Sequence, residues 1–293
     1  MSRTDLRVRV RGGELGGGEW NGDAPGLPIL AVHGITATHR VWDLVAGRLP
    51  AHRVIAPDLR GRGRSNALPA PFGFAAHADD LAALLDARGI DRALVVGHSM
   101  GAFVSVRFAE RHPDRVAGLV LVDGGLPIAL PDTIAPEEVP AHLLGPALER
   151  LAMTFGTAEE YVDFWRGHPA LGPYWNESIA DYARYDLDGA APVLRSSARA
   201  AAVAEDARGL DGSDRYEEAL AGLPGTVLLL RAPRGLLDGE PLYTASQAGG
   251  WAARVPQLDV REIPDTNHYT ILMTPDGARA TAEAVLERWT ATS

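Results

Sequence analysis

Two side chains in this sequence stand in contexts that suit nucleophilic chemistry. Ser99 lies in Gly97-His98-Ser99-Met100-Gly101, a G-x-S-x-G pattern that follows an apolar run and opens a helical one. Glycines two residues either side of the serine suit a sharp strand-to-helix turn, where larger side chains would collide. Such a turn exposes the hydroxyl and points the free N–H groups of the helix start at the reaction centre. The competing reading is a glycine-rich turn with an idle serine. A hydroxyl attacks poorly until a base takes its proton. His268, in IPDTNHYTILM (263–273), follows the last strand signal and precedes the last helix, which predicts a loop at the carboxyl edge of a sheet, beside Ser99. The competing reading is an ordinary surface histidine.

Acyl transfer also needs donors for a developing oxyanion. The loop His33-Gly34-Ile35-Thr36 supplies a candidate: the backbone amides of Ile35 and Met100 are expected to converge there. Gly34 gives the backbone room to turn. His33 and Gly34 are candidates for the pocket wall, with the His33 ring expected to bond nearby backbone.

The elements that must hold these groups alternate. Strand signals occur at PILAVHG (28–34), RVIAPDLRG (53–61), ALVVGHS (93–99), VAGLVLVDGG (116–125), TVLLLRA (226–232) and LDVREIP (258–264). Short apolar runs of this kind suit strands buried on both faces. Leu81, Leu84, Leu85 and Arg88 follow helical spacing, with Gly89 as the stop. Residues 100–111 form a helix after Ser99. Thr274 and Pro275 read as the cap and first residue of a last helix, with Ala278, Ala282, Val285, Leu286 and Trp289 as its stripe. This predicts the α/β class, a mostly parallel sheet with helices on both faces. The alternation breaks over 127–222, where the pattern is helical throughout. The expected organisation is a core of 1–126 and 223–293 with a helical cap inserted at 127–222. The opening residues read as a leading strand, and the glycine-rich stretch 12–18 as a hairpin turn.

Composition narrows the function. A net charge of −10 argues against a nucleic-acid partner. No apolar run approaches the roughly 18 residues of a membrane span, and cytoplasmic residence is the expectation. The chain has no cysteine, which removes a thiolate site and a cysteine nucleophile. The histidines lack metal-ligand spacing, so no metal is expected. A loose G-x-G-x-x-G over Gly12–Gly18 opens no helix, and no cofactor is expected.

The segments HGIT, PDLRGRGRS (57–65), GHSMG and NHY occur in an order and spacing that resemble the α/β-hydrolase family. The resemblance spans nearly the whole chain and is weakest in 127–222. It assigns Asp58, Arg60, Gly61, Gly63 and Ser65 to a structural loop, and it implies a serine–acid–histidine triad. Two carboxylates compete for the acid. Many relatives carry it after the strand here read as TVLLLRA, a place that falls on Gly235, with Asp238 three residues late. A subset of haloalkane dehalogenases instead carries it after the preceding strand, where Asp123 stands, and has a loop similar to Pro233–Leu237. Asp123 is the first choice and Asp238 the alternative. Those enzymes attack with aspartate, and their halide-binding tryptophan is replaced here by Met100.

The resemblance therefore implies a serine hydrolase of a small, largely apolar carboxylic ester or lactone, acting through an acyl-enzyme. Carbon–carbon bond hydrolysis or cofactor-free perhydrolysis on the same triad is an alternative. A non-catalytic ligand receptor with a hydrolase shell is another, since fold alone does not set function. Trp165, Tyr174, Trp175 and Tyr269 are candidates for the apolar pocket, each weighed against plain packing. His168 could reach the site but reads first as structural. The oligomeric state is open.

Overall fold

The central sheet is built from eight strands in a computed structural model that describes residues 3–128, 133–135, 138–223 and 225–292. The strands are β1 (Arg3–Val10), β2 (Gly13–Trp20), β3 (Ile29–Val32), β4 (Val54–Pro57), β5 (Ala93–His98), β6 (Val116–Val122), β9 (Val227–Arg231) and β10 (Leu258–Glu262). Their order is β1-β2-β4-β3-β5-β6-β9-β10. β1 and β2 form an antiparallel hairpin, β2 lies antiparallel to β4, and every pairing from β4 to β10 is parallel.

Alternation along the strands feeds two separate cores. Leu30, Val32, Val95, Leu119 and Leu121 face one side with α2 (Phe74–Ala87) and α3 (Met100–Arg111). Ile29, Ala31, Leu94, Val96, Val120 and Val122 face the other, with α1 (Asp43–Gly47), α10 (Thr270–Met273) and α11 (Pro275–Thr290). Burial on both faces is why these strands read as unbroken apolar runs rather than alternating ones. α11 starts as expected, with the Thr274 side chain accepting from Gly277 N. α2 ends at Ala87, and Gly89 takes a left-handed φ of 63°.

Two elements depart from expectation. The glycine-rich stretch 12–18 is mostly strand β2, and the turn is confined to Arg11 and Gly12. The glycines serve close approach rather than turning: a Cβ at Gly17 would overlap the Ala56 carbonyl of the neighbouring strand. α9 (Ala245–Arg254) was hidden by Gly249 and Gly250, yet it carries a capping box between Thr244 and Gln247.

Between β6 and β9 lie α4 (Val139–Ala152), α5 (Ala158–Arg166), α6 (Glu177–Asp186), α7 (Ala200–Ala207) and α8 (Tyr216–Ala221). Within the expected cap range of 127–222, residues 129–132, 136 and 137 fall outside the described residues. The stretch is not helical throughout. β7 (Leu187–Ala190) and β8 (Val193–Ser196) form a small hairpin, and Phe155 pairs with Leu194 across it. Strands of four residues are too short to show a period of two in a sequence. At the other end of the stretch Tyr216 packs on Phe103, ring centroids 5.0 Å apart, so α8 joins the core beside α3.

Candidate active site

Ser99 occupies the bend between β5 and α3 with φ 55° and ψ −126°. That left-handed backbone is costly for a residue with a side chain and marks a turn held by its surroundings. The surroundings are glycines. A Cβ at Gly97 would overlap the Gly101 carbonyl, one at Gly101 the Val32 carbonyl, and one at Gly124 the Ser99 carbonyl. Ser99 N donates to Val122 O at 2.9 Å, which ties the bend to β6. The hydroxyl is left half-buried at the start of α3.

Three loops meet at this bend. Asp123 follows β6 directly, with φ 43°, and is completely buried. Its Oδ2 lies 2.7 Å from His268 Nδ1, and its Oδ1 accepts from Ala232 N at 3.0 Å. A carboxylate accepts only, so Nδ1 carries the proton and Nε2 is left as the basic nitrogen. His268 sits on the loop after β10, as expected. His98 Nε2 donates to the His268 carbonyl at 2.8 Å, and the two rings lie 4.7 Å apart, so the residue before the serine holds the histidine loop. Among the described residues no direct hydrogen bond joins Ser99 Oγ to His268 Nε2; such bonds are often long before substrate binds.

The loop after β3 passes on the other side of the serine. A Cβ on Gly34 would stand 3.1 Å from Ser99 Cβ and 3.5 Å from its Oγ. Gly34 O accepts from His33 Nδ1 at 2.8 Å and from Ala37 N at 3.2 Å. The amides of Ile35 and Met100 have no hydrogen-bond partner among the described residues. Two free amides beside a hydroxyl, a buried imidazole and a buried carboxylate can carry out acyl transfer.

A family profile described as the alpha/beta hydrolase fold matches residues 28–272. The chain belongs to this family. Lipase LipV of Mycobacterium tuberculosis is 42% identical over 118 residues, a stretch that covers 40% of this chain and only 44% of the lipase. The 2-(acetamidomethylene)succinate hydrolase of Mesorhizobium japonicum is 30% identical over 282 residues, 94% of this chain and 89% of that protein. A crystal structure of E-2-(acetamidomethylene)succinate hydrolase superposes with a TM-score of 0.78 at 26% identity, covering 98% of this chain and 99% of the other.

In this α/β-hydrolase the alternative acid, Asp238, does not reach the histidine. It accepts from Asn267 Nδ2 at 2.7 Å and pairs with Arg234 Nη1 at 3.1 Å. Asn267 in turn accepts from the amides of Tyr269 and Thr270 and donates to Ala170 O. Asp238 thus braces the loop that carries His268 from one residue away.

The pocket candidates separate into two groups. Tyr269 is half-buried, with its ring 5.4 Å from that of His268 and 5.4 Å from that of His168. Gly34 abuts Ser99, as above. His33 is a correction: its ring is fully buried, with Nδ1 donating to Gly34 O and Nε2 accepting from Leu59 N at 2.8 Å. Burial lowers its pKa to about 4, so the ring is neutral and structural. Trp165 is 3% exposed and packed among Tyr161, Phe164, His168 and Tyr182, with the Arg150 guanidinium 4.9 Å from its ring centre. It adjoins His168, which adjoins Tyr269, so Trp165 packs the inserted stretch and His168 stands nearer the site. Tyr174 accepts from Arg234 Nη1 at 2.8 Å, and Trp175 lies under Arg166. Neither has a ring contact with His268 or Tyr269.

Asn267 was missed by sequence reasoning. The N-H-Y-T spacing of a helix cap could have exposed it. Among the described residues no group of three metal-ligating side chains forms, and no helix is long and apolar enough to cross a membrane.

Proposed function

We propose that this protein is a serine hydrolase that cleaves a carboxylic ester or lactone of a small, largely apolar substrate through an acyl-enzyme. The observation that carries the reading is the 2.7 Å contact between His268 Nδ1 and Asp123 Oδ2 behind a serine held at φ 55°. His268 Nε2 takes the proton of Ser99 Oγ as the oxygen attacks the carbonyl carbon. Asp123 keeps the ring in the right tautomer and stabilises the imidazolium. The amides of Ile35 and Met100 receive the oxyanion. His268 then protonates the leaving oxygen, and water repeats the sequence to release the acid and restore Ser99. Within 127–222 the elements ahead of α8 act as a cap, with Tyr269 and His168 lining the pocket under it.

A fluorophosphonate probe and p-nitrophenyl esters of graded chain length test this. Labelling at Ser99 with ester turnover supports it. No labelling at Ser99 rejects it, and a ligand-induced thermal shift without turnover points to a receptor.

A second substrate class draws support from the relative matched over 94% of this chain, a 2-(acetamidomethylene)succinate hydrolase. The same triad would act on an acetamido-substituted dicarboxylate. Assay of that compound beside the esters, at equal concentration, ranks the two.

A further inference from the structure

Ile35 faces two ways. Its amide is the proposed oxyanion donor, and its carbonyl accepts from Arg62 Nε at 2.9 Å. Arg62 stands in the 57–65 loop but outside the pattern of Asp58, Arg60, Gly61, Gly63 and Ser65, and its side chain is fully buried. Its Nη1 donates to Arg60 O at 2.9 Å and pairs with Asp206 Oδ2 at 2.6 Å. Asp206 belongs to α7, in the inserted stretch. Its Oδ1 accepts from Gly73 N at 2.6 Å and its Oδ2 faces His77 Nε2 at 3.0 Å. Burial pushes the Asp206 carboxyl toward protonation, but His77 and Arg62 outweigh it and hold the pKa at about 2, so the group is charged.

A simple latch between α7 and the core needs only the Arg62–Asp206 pair. Here a further nitrogen of the same rigid guanidinium is committed to the oxyanion loop. The Gly34–Ile35 peptide is planar, so its N–H points opposite to the Gly34 carbonyl that His33 and Ala37 hold. Arg62 holds the next peptide through Ile35 O. The direction of the Ile35 amide is thus set from both sides, and one of those sides leads to α7.

We propose that Arg62 and Asp206 are positioning residues that couple the seating of α7 on the core to oxyanion stabilisation by Ile35. The proposal rests on the hydrolase reading above. Neither residue touches substrate.

Arg62→Lys keeps a positive charge for Asp206 but lacks the second nitrogen for Ile35 O. The expected result is a fall in kcat on p-nitrophenyl acetate of roughly tenfold or more, below the loss for deleting a donor outright. KM should stay within about twofold, because the oxyanion forms after binding. A trifluoromethyl methyl ketone, whose adduct oxygen occupies the same amides, should lose affinity by the same factor. Asp206→Asn keeps an acceptor for Gly73 N and removes the charge. It should show the same split with a smaller fall, and it carries the test if Arg62→Lys does not fold. A lowered Tm with kcat and ketone affinity unchanged means a latch only and overturns the proposal. If the wild-type protein is not labelled by fluorophosphonate at Ser99, the hydrolase reading and this one fall together. Labelled wild type with variants of unchanged kcat overturns the coupling alone.

Discussion

His268 Nδ1 lies 2.7 Å from Asp123 Oδ2, joining residues 145 apart in the chain. Asp238 is only 29 residues from Asn267 and bonds that neighbour instead. The two carboxylates therefore have separable effects. Asp123→Asn leaves the shape intact but favours the wrong tautomer, so kcat on p-nitrophenyl esters should fall by about 10³–10⁴. Asp238→Asn should cost less than about tenfold. Steady-state kinetics of both variants decide it, and the reverse ranking would remove Asp123 from the triad.

His98 ties the Ser99 bend to the loop of His268. His98→Leu removes the donor to the His268 carbonyl and leaves that buried oxygen unpaired, at about 1–3 kcal/mol. We expect a lower Tm together with roughly tenfold slower turnover. His98→Gln can still present an N–H and should restore a large part of both. Thermal melts and kcat measured on the two variants check this.

Gly124 follows Asp123 and packs on Ser99. A Cβ there would overlap the Ser99 carbonyl and stand 2.6 Å from its Cα, both backbone atoms that cannot swing aside. Gly124→Ala should destabilise the protein by about 3 kcal/mol and abolish fluorophosphonate labelling in whatever fraction folds. Urea melts and labelling measure the two effects, and an active Gly124→Ala protein would contradict the packing.

His33 makes stability depend on pH. Its pKa is lowered from 6.5 to about 4, first by burial, so the folded state excludes a proton that the unfolded chain accepts. The stability it contributes is whole above pH 6.5, and is lost as pH falls toward 4, to the extent of on the order of 3 kcal/mol. Asp43, raised by burial from 3.8 to about 6, acts in the opposite sense, adding stability as pH falls from 6 to 3.8. The comparison is therefore wild type against His33→Gln at each pH. The variant should be the less stable at pH 7, and the gap should narrow by pH 4.5. A gap that is constant with pH would rule out a neutral His33.

Much of the site was legible because its signals are local. A strained serine bend needs glycines at fixed offsets, so Gly97, Ser99 and Gly101 announce it within five residues. Parallel strands buried on both faces must be largely apolar, and β3, β5, β6 and β9 are, apart from His98 and Arg231 at their ends. The histidine after the last strand follows from chain order. The elements that were misread have weak or misleading local signals: β2 is glycine-rich because the next strand passes close, α9 contains two glycines, and β7 and β8 are four residues each.

The sequence by itself determined the fold class, the serine bend and the place of His268, since each rests on spacing along a few residues. Only the tertiary structure put Asp123 against His268 and Asp238 against Asn267, turned His33 from a pocket wall into a buried brace, and brought Asp206 to Arg62 and Arg62 to Ile35. Those choices depend on distances between side chains far apart in the chain. Such distances arise from how strands register and how the inserted stretch settles on the core, and no local pattern encodes them.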